Sequence, residues 1–355
     1  MLSIQYGTTA PGRPTGEAMS QVCAQEWEEY LTPWSERLDA YVDRRIVGTL
    51  IATVVGIVQT RSALTLTELG STITGPQHAE AGTQRLERLR QHQGWQAKPR
   101  EQVLWEQAEV FRHEVEQRGE TPLCIWDSRV LEKAESQQLE GLGKVRSSKA
   151  RRLARSRPGV FNRPGAPIRV RGFEWEALLL VGKSGGPQVA AMRWWSRTTG
   201  EVGERERLPA DLLGQVAWRW GRQVRHVFDR GYGNGPWLAW LSPYRVRFVV
   251  RWMQGRKLLD AAGQERKAWE IARGKRAWGE ARLLWDTPCH VFRSTRVLAL
   301  PVRHPEYTGP LWLVVVRQGK GREPWYLLTH APVETEQEAW DIAISYVRRW
   351  QIEES

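Results

Sequence analysis

Three carboxylates stand out by where they fall in the chain. Asp127 follows the short apolar run Leu123 to Trp126, Asp229 follows Arg225 to Phe228, and Glu353 lies in the last twenty residues, Glu336 to Ser355. An acid just past the end of a core strand sits at the mouth of a sheet, where open α/β folds place their sites. Cys23, Cys124 and Cys289 form no CxxC and no zinc spacing, and the seven His show no metal spacing either. Carboxylates without soft partners suit hard cations, Mg²⁺ or Mn²⁺. Two such ions about 3.5–4 Å apart can activate an attacking oxygen and stabilise a leaving oxygen at a phosphodiester. A lone Asp in a turn is ordinarily a turn or cap residue. Asp229 departs from that pattern, because Asp229-Arg230-Gly231-Tyr232-Gly233-Asn234-Gly235 puts a charged pair at a Gly-rich turn straight after an apolar strand.

The elements that must bring these acids together can be read in outline. Glu336 to Ser355 has strong helix formers and no Gly or Pro, and Ala339, Ile342, Ala343 and Tyr346 recur at helical spacing. Tyr346, Arg349 and Glu353 continue that face, which predicts a Tyr, an Arg and a Glu along the seam toward the core. Upstream, Leu123–Trp126, Gly172–Val181, Gln188–Trp195, Arg225–Phe228 and Arg245–Trp252 read as strands. Pro209–Trp220, with its Pro at the start, and Gly231–Leu241 read as helices. This order predicts a mixed α/β sheet with helices on its faces. Short alternating runs between about Gln254 and Thr329, such as Arg296–Val302 and Leu311–Val316, predict a β-rich insertion within it. The catalytic region is thus expected over 118–355.

Residues 1–117 read as an all-helical domain behind a loose stretch at 1–16. Glu26–Leu38 is amphipathic through Trp27, Leu31 and Trp34, with a break or kink expected at Pro33. Ile46–Thr60 is apolar all round and fits the centre of a small bundle. Thr65-Leu66-Thr67-Glu68 is a capping box, starting a helix expected to end at Gly70. Thr83–His92 buries Leu86 and Leu89 and turns Arg85, Arg88 and Arg90 outward. Short helices joined by turns, one of them Arg-rich, resemble a helix-turn-helix DNA reader.

Composition agrees with a polyanionic partner. The chain has 52 Lys and Arg against 40 Asp and Glu, a net charge of +12, and 20 Trp, which can fill a core or stack on bases. The run 144–157 carries seven basic residues and no acid, and Lys149, Arg151, Arg152 and Arg155 within it are candidates for DNA-backbone contact. No basic segment leads into an apolar run at the N-terminus, and Ile46–Val58 is too short to span a bilayer. A reduced, cytoplasmic and nucleoid-associated location is expected, with no membrane partner.

Together these motifs resemble the bacterial insertion-sequence transposases of the DDE class, in the "insertion-sequence-four" branch with the YREK signature. Tyr346, Arg349 and Glu353 match the first three signature residues at the correct spacing. WDSRVLEKAES with GLGKVRSSKARR resembles the family's first acid region, FDRGYGNGPWLAWL with RFVVRW its second, and PWYLLTHAPVET the approach to its last helix. The resemblance runs from about Arg44 to the end.

The resemblance implies an RNase H-like catalytic domain interrupted by a β insertion before the third acid. Asp127, Asp229 and Glu353 would be its catalytic triad, holding two Mg²⁺ or Mn²⁺ ions. Tyr346 and Arg349 would bind DNA phosphate, and Arg230 joins them as a DNA contact. Many family members pass through a hairpin that demands an unstacked base, and Trp325, then Trp350, are the aromatic candidates to hold it. The partners implied are double-stranded DNA, as transposon ends and target, and a second copy of the chain in a homodimeric synaptic complex. The signature Lys would fall seven residues past Glu353, beyond Ser355, so the sequence reads as truncated. Two further readings follow: an inactive, truncated transposase that occupies DNA ends as relic or inhibitor, and a simple RNase H-like nuclease without strand transfer.

Overall fold

The computed structural model describes residues 29–59, 64–92, 97–134, 136, 141–147, 168–196, 198, 204–286, 289–319 and 321–354. The stretch 1–16, Trp27, and the basic candidates Lys149, Arg151, Arg152 and Arg155 lie outside them. Of Glu353 only the backbone is described. The chain divides into two compact units, Met1–Val103 and Leu104–Ser355.

The first unit is helical: α1 (29–39), α2 (Arg44–Gln59), α3 (Leu66–Thr74), α4 (Ala79–Gln91) and the start of α5 (Ala97–Gln117). Helix α1 runs through Pro33 without the expected break. Leu38, Val42, Val47 and Val103 form its small core, with Trp34, Ile46, Leu50 and Ile51 packed against it. Thr65 caps α3 as its sequence predicts, its Oγ1 accepting from the Glu68 amide at 3.2 Å. The helix does not stop at Gly70, however, and ends only at Gly75, which has φ 90°. Gly70 serves another purpose. A Cβ at Gly82 would lie 2.1 Å from the Gly70 carbonyl oxygen, so this glycine pair lets α3 and α4 touch backbone to backbone. Arg85 is not simply solvated, since its Nε donates to Thr49 Oγ1 at 2.7 Å.

The second unit is built on one ten-stranded sheet in the order β2-β3-β1-β5-β6-β12-β11-β10-β9, with β4 also paired to β3. In chain order the elements are β1 (Leu123–Glu132), β2 (Gly143–Arg146), β3 (Arg169–Val181), β4 (Gln188–Trp195), α6 (Glu204–Trp220), β5 (Arg225–Phe228), α7 (Gly235–Tyr244) and β6 (Arg247–Trp252). There follow β7 (Lys257–Leu259), β8 (Glu265–Lys267), α8 (Ala268–Ala272), β9 (Trp278–Asp286), β10 (Val291–Val302), β11 (Leu311–Gln318), β12 (Trp325–Thr329) and α9 (Glu336–Val347). A 3₁₀ turn (Arg348–Trp350) and α10 (Gln351–Glu354) close the chain. Strand β1 runs antiparallel to β3 and parallel to β5, and β5 runs parallel to β6. The β-rich region beyond 254 extends this sheet, because β12 pairs antiparallel with β6.

Helices cover both faces. On one, Trp105 and Ala108 of α5, Leu212, Leu213 and Val216 of α6, and Trp237, Leu238 and Leu241 of α7 share a core with Trp126, Phe228, Phe248 and Val250. On the other, Ala339, Ile342, Ala343 and Tyr346 of α9 pack on Ile125, Val227, Val249 and Leu327. The predicted apolar stripe of the last helix is therefore its buried face. A capping box starts that helix: Thr335 Oγ1 accepts from the Glu338 amide at 3.3 Å, and Glu338 Oε2 accepts from the Thr335 amide at 2.9 Å.

Three expectations need correction. Strand β1 does not end at Trp126; its pairing with β3 continues to Glu132↔Gly172, because β3 is long enough to carry it. Pro209 lies inside α6 rather than at its start. The terminal helix is not continuous, since the 3₁₀ turn at Arg348–Trp350 tightens it between Tyr346 and Glu353.

Candidate active site

The parallel register decides where the first two acids meet. Ile125 on β1 is opposite Val227 on β5, so two residues further along Asp127 and Asp229 come level at the same end of the sheet. Adjacent strands are about 4.8 Å apart. Alternation puts Asp127 on the face of Leu123 and Ile125, the face covered by α9. The parallel pairing ends at Ile125, so Asp127 opens to the site on that side while β3 still holds its other edge.

Asp127 is 8% exposed. Arg129 Nε donates to its Oδ2. Burial raises the Asp127 pKa above its ordinary value; the Arg129 hydrogen bond and charge and the Arg349 charge pull it down, and the Asp229 charge pushes it up. Asp127, Asp229, Arg129 and Arg349 therefore share one electrostatic site, although they come from distant parts of the chain. Asp229 is half-buried, and its Oδ1 accepts from the Gly231 amide at 2.7 Å, which turns the chain sharply after β5.

Helix α9 delivers Tyr346 and the 3₁₀ turn after it delivers Arg349, buried at 4% and 6% exposure. The Tyr346 ring meets Trp325 edge to face, with centroids 5.4 Å apart. The Arg251 guanidinium lies 5.4 Å from the Trp325 ring and 5.7 Å from the Tyr346 ring. Burial lowers the Arg251 pKa, and its hydrogen bond and attraction to Tyr346 oppose that shift. Arg349 reaches over Trp350, 4.6 Å from the ring centroid. Trp325, expected to face an extruded base, is 9% exposed and packed in the core, whereas Trp350 is half-buried. Arg230 is exposed beside Asp229.

Several residues of the site were not anticipated. Arg129 and Arg251 are two of them, and Glu176 is a third. Glu176 on β3 is 3% exposed and accepts from Ser128 Oγ at 2.5 Å and from the Tyr232 hydroxyl. Burial raises the Glu176 pKa to about 7; its two hydroxyl donors pull it down, and the Asp127 and Asp229 charges push it up. Burial, then Glu176, raises the Tyr232 pKa. The signal was available, since Glu176 falls in the strand-like run Phe173 to Val181 between apolar neighbours.

The donor chemistry fits a hard dication. Asp127 and Asp229 place two carboxylates at the same end of the sheet, near enough for the Asp229 charge to act on Asp127, and oxygen donors of this kind suit such an ion. Among the described residues no group of three His, Cys, Asp or Glu is close enough to hold a metal ion. The side chain of Glu353, the expected third donor, lies outside that description.

Comparison with known proteins bears on the same region. Residues 184–355 match the family model described as a transposase DDE domain. The match includes Asp229, Tyr346, Arg349 and Glu353 and begins beyond Asp127. No curated protein matches the sequence. Among solved structures, the piggyBac transposase synaptic complex with hairpin DNA is similar at 12% identity and TM-score 0.42, over 88% of this chain and 58% of that one. The NurA nuclease from Sulfolobus solfataricus is similar at 8% identity and TM-score 0.30, over 67% of this chain and 81% of that one. Both likenesses are too distant to carry fold or function. This chain spans little more than half the length of the piggyBac chain. No described helix is long and apolar enough to cross a membrane.

Proposed function

With a transposase DDE domain present over residues 184–355, we propose that the chain is a DNA transposase that cleaves at transposon terminal repeats and joins the freed 3′ hydroxyl to target DNA. The observation that carries this reading is the level placement of Asp127 and Asp229 with Arg349, in the 3₁₀ turn after α9, acting on Asp127. Asp127, Asp229 and Glu353 would hold Mg²⁺ or Mn²⁺, two ions per site, which when bound activate the attacking oxygen and neutralise charge on the leaving oxygen. Arg349 and Arg129 flank the site with fixed positive charge that suits a phosphate, and exposed Arg230 extends it. Tyr346, held by Trp325 and Arg251, orients the helix that brings Arg349 in. Half-buried Trp350, stacked under Arg349, is the aromatic surface we assign to an unstacked base, and buried Trp325 supports Tyr346. A first strand with an antiparallel hairpin on one side and parallel strands on the other supports an RNase H-like reading of the sheet. The Arg-bearing helices of residues 1–117 are the proposed DNA reader, and a homodimer is the proposed synaptic form.

The test is cleavage of a duplex carrying the element's own terminal repeat, with Mg²⁺ and without. Metal-dependent nicking at the repeat's edge followed by joining to target DNA is expected, and nicking without joining would indicate a simple nuclease. Asp127→Ala should lower cleavage by ~10³-fold or more, the equivalent of several kcal/mol of transition-state stabilisation, while DNA binding stays. Loss of binding in parallel with cleavage would count against the metal role.

A further inference from the structure

The two aspartates are tied together from behind the sheet. Glu176 is the direct cross-strand partner of Ser128, the residue after Asp127. Strand alternation puts Ser128 and Glu176 on the face opposite Asp127, the face that carries Trp126, Leu178 and Tyr232; Glu176 is buried there and Ser128 is exposed at its edge. From there Glu176 Oε2 accepts from Ser128 Oγ, and Oε1 accepts from the hydroxyl of Tyr232, three residues past Asp229. One carboxylate thus spans the strand that carries Asp127 and the turn that carries Asp229.

A buried acid without a cation is costly to keep. Among the described residues Glu176 has two hydroxyl partners and no Lys or Arg. The fold does not need it to hold the turn. Asn234 Oδ1 caps α7 by accepting from the Trp237 amide at 3.0 Å, and Arg256 Nη1 donates to the Gly233 carbonyl. The Tyr232 ring is packed against Trp237, with centroids 4.9 Å apart, and against Phe228 at 5.3 Å. What the Glu176 link adds is a fixed distance between the backbone at Ser128 and the backbone at Tyr232.

We infer that Glu176 is a positioning residue that sets the separation of Asp127 and Asp229 through Ser128 and Tyr232, and thereby the affinity of the pair for a divalent cation. This rests on the metal-binding reading proposed above. Glu176 does not itself ligate the ion, because it lies behind the sheet. Groups that orient metal ligands without touching the metal typically change its affinity by about 10–100-fold when removed.

The experiment is calorimetric titration of the full metal-free chain with Mn²⁺, alongside thermal melting. Variants are Glu176→Ala, Glu176→Gln, Tyr232→Phe and Ser128→Ala. Glu176→Ala and Tyr232→Phe should weaken Mn²⁺ binding about tenfold, with melting temperatures close to the parent. Glu176→Gln should recover most of the affinity, since the amide can still bridge two hydroxyls. Equal Mn²⁺ affinity in Tyr232→Phe and the parent would overturn the inference, and that variant decides the matter if Glu176→Ala fails to fold. A parent chain that binds no Mn²⁺ would overturn the metal reading itself and this inference with it.

Discussion

Trp325 and Tyr346 meet edge to face at 5.4 Å, both buried, under the guanidinium of Arg251. The contact ties β12, the last strand of the expected insertion, to the helix that follows it, and so fixes the position of Arg349 one turn on. Trp325→Ala is therefore expected to act first on stability. A buried Trp cut to Ala costs about 3–5 kcal/mol. Chemical unfolding without DNA measures it, and an unchanged midpoint would return Trp325 to the role of a surface that awaits a base.

Acid should weaken the second unit through His226. This side chain is fully buried, and its Nδ1 accepts from Trp126 Nε1 at 2.9 Å. Burial pushes its pKa down from 6.5 to about 3. Because the folded value is depressed, the unfolded chain takes up the proton first as pH falls below 6.5, and stability is lost progressively toward pH 3. Glu176 works in the opposite sense: its raised pKa of about 7 makes the folded chain the better proton acceptor between there and the ordinary carboxylate range. Comparison with His226→Gln isolates the histidine. Urea unfolding should show the parent losing on the order of 3 kcal/mol more than the variant between pH 6.5 and 4. Parallel stability profiles would contradict this account.

Gly82→Ala tests the helical unit. The added methyl would fall 2.1 Å from the Gly70 carbonyl oxygen, so α3 and α4 must move apart. Overpacking of this kind costs about 1–3 kcal/mol. Amide hydrogen exchange in the full chain should quicken in α3 and α4 and stay constant in the β1–β5 strands. Unaltered protection in both helices would mean the packing there is looser than its geometry indicates.

The basic run tests the DNA reading without touching the acids. Replacing Arg151, Arg152 and Arg155 with Ser together should lower affinity evenly across duplex sequences. It should also flatten the salt dependence, by about 0.9 in the log–log slope for each phosphate that is no longer neutralised. Binding measured at several salt concentrations gives the slope. A slope equal to the parent's would remove these three residues from the interface.

Much of the local structure was legible in the sequence. Apolar runs located β5 at Arg225–Phe228 and β4 at Gln188–Trp195 to the residue. The stripe Ala339, Ile342, Ala343 and Tyr346 was buried as its spacing required, and Thr65 capped its helix. These are short-range effects of periodicity, capping chemistry and turn residues, which act within a few residues of chain. The helix ends at Gly70 and Pro209 were misjudged because tertiary packing overrides local propensity. At Gly70, close approach to Gly82 supplied the reason for a glycine that a stop signal would also have explained.

The sequence by itself determined which residue types could meet: two acids after apolar strands, and a Tyr and an Arg in line on the last helix. Only the tertiary structure decided that Asp127 and Asp229 lie level, because that depends on the register of two strands separated by about a hundred residues. It likewise decided that Trp325 supports Tyr346 from the core, and that Glu176 reaches Ser128 and Tyr232 from behind the sheet. The reason is that a side chain's type sets what it can bond to. Strand register and sheet face, fixed by residues distant in the chain, set what it meets.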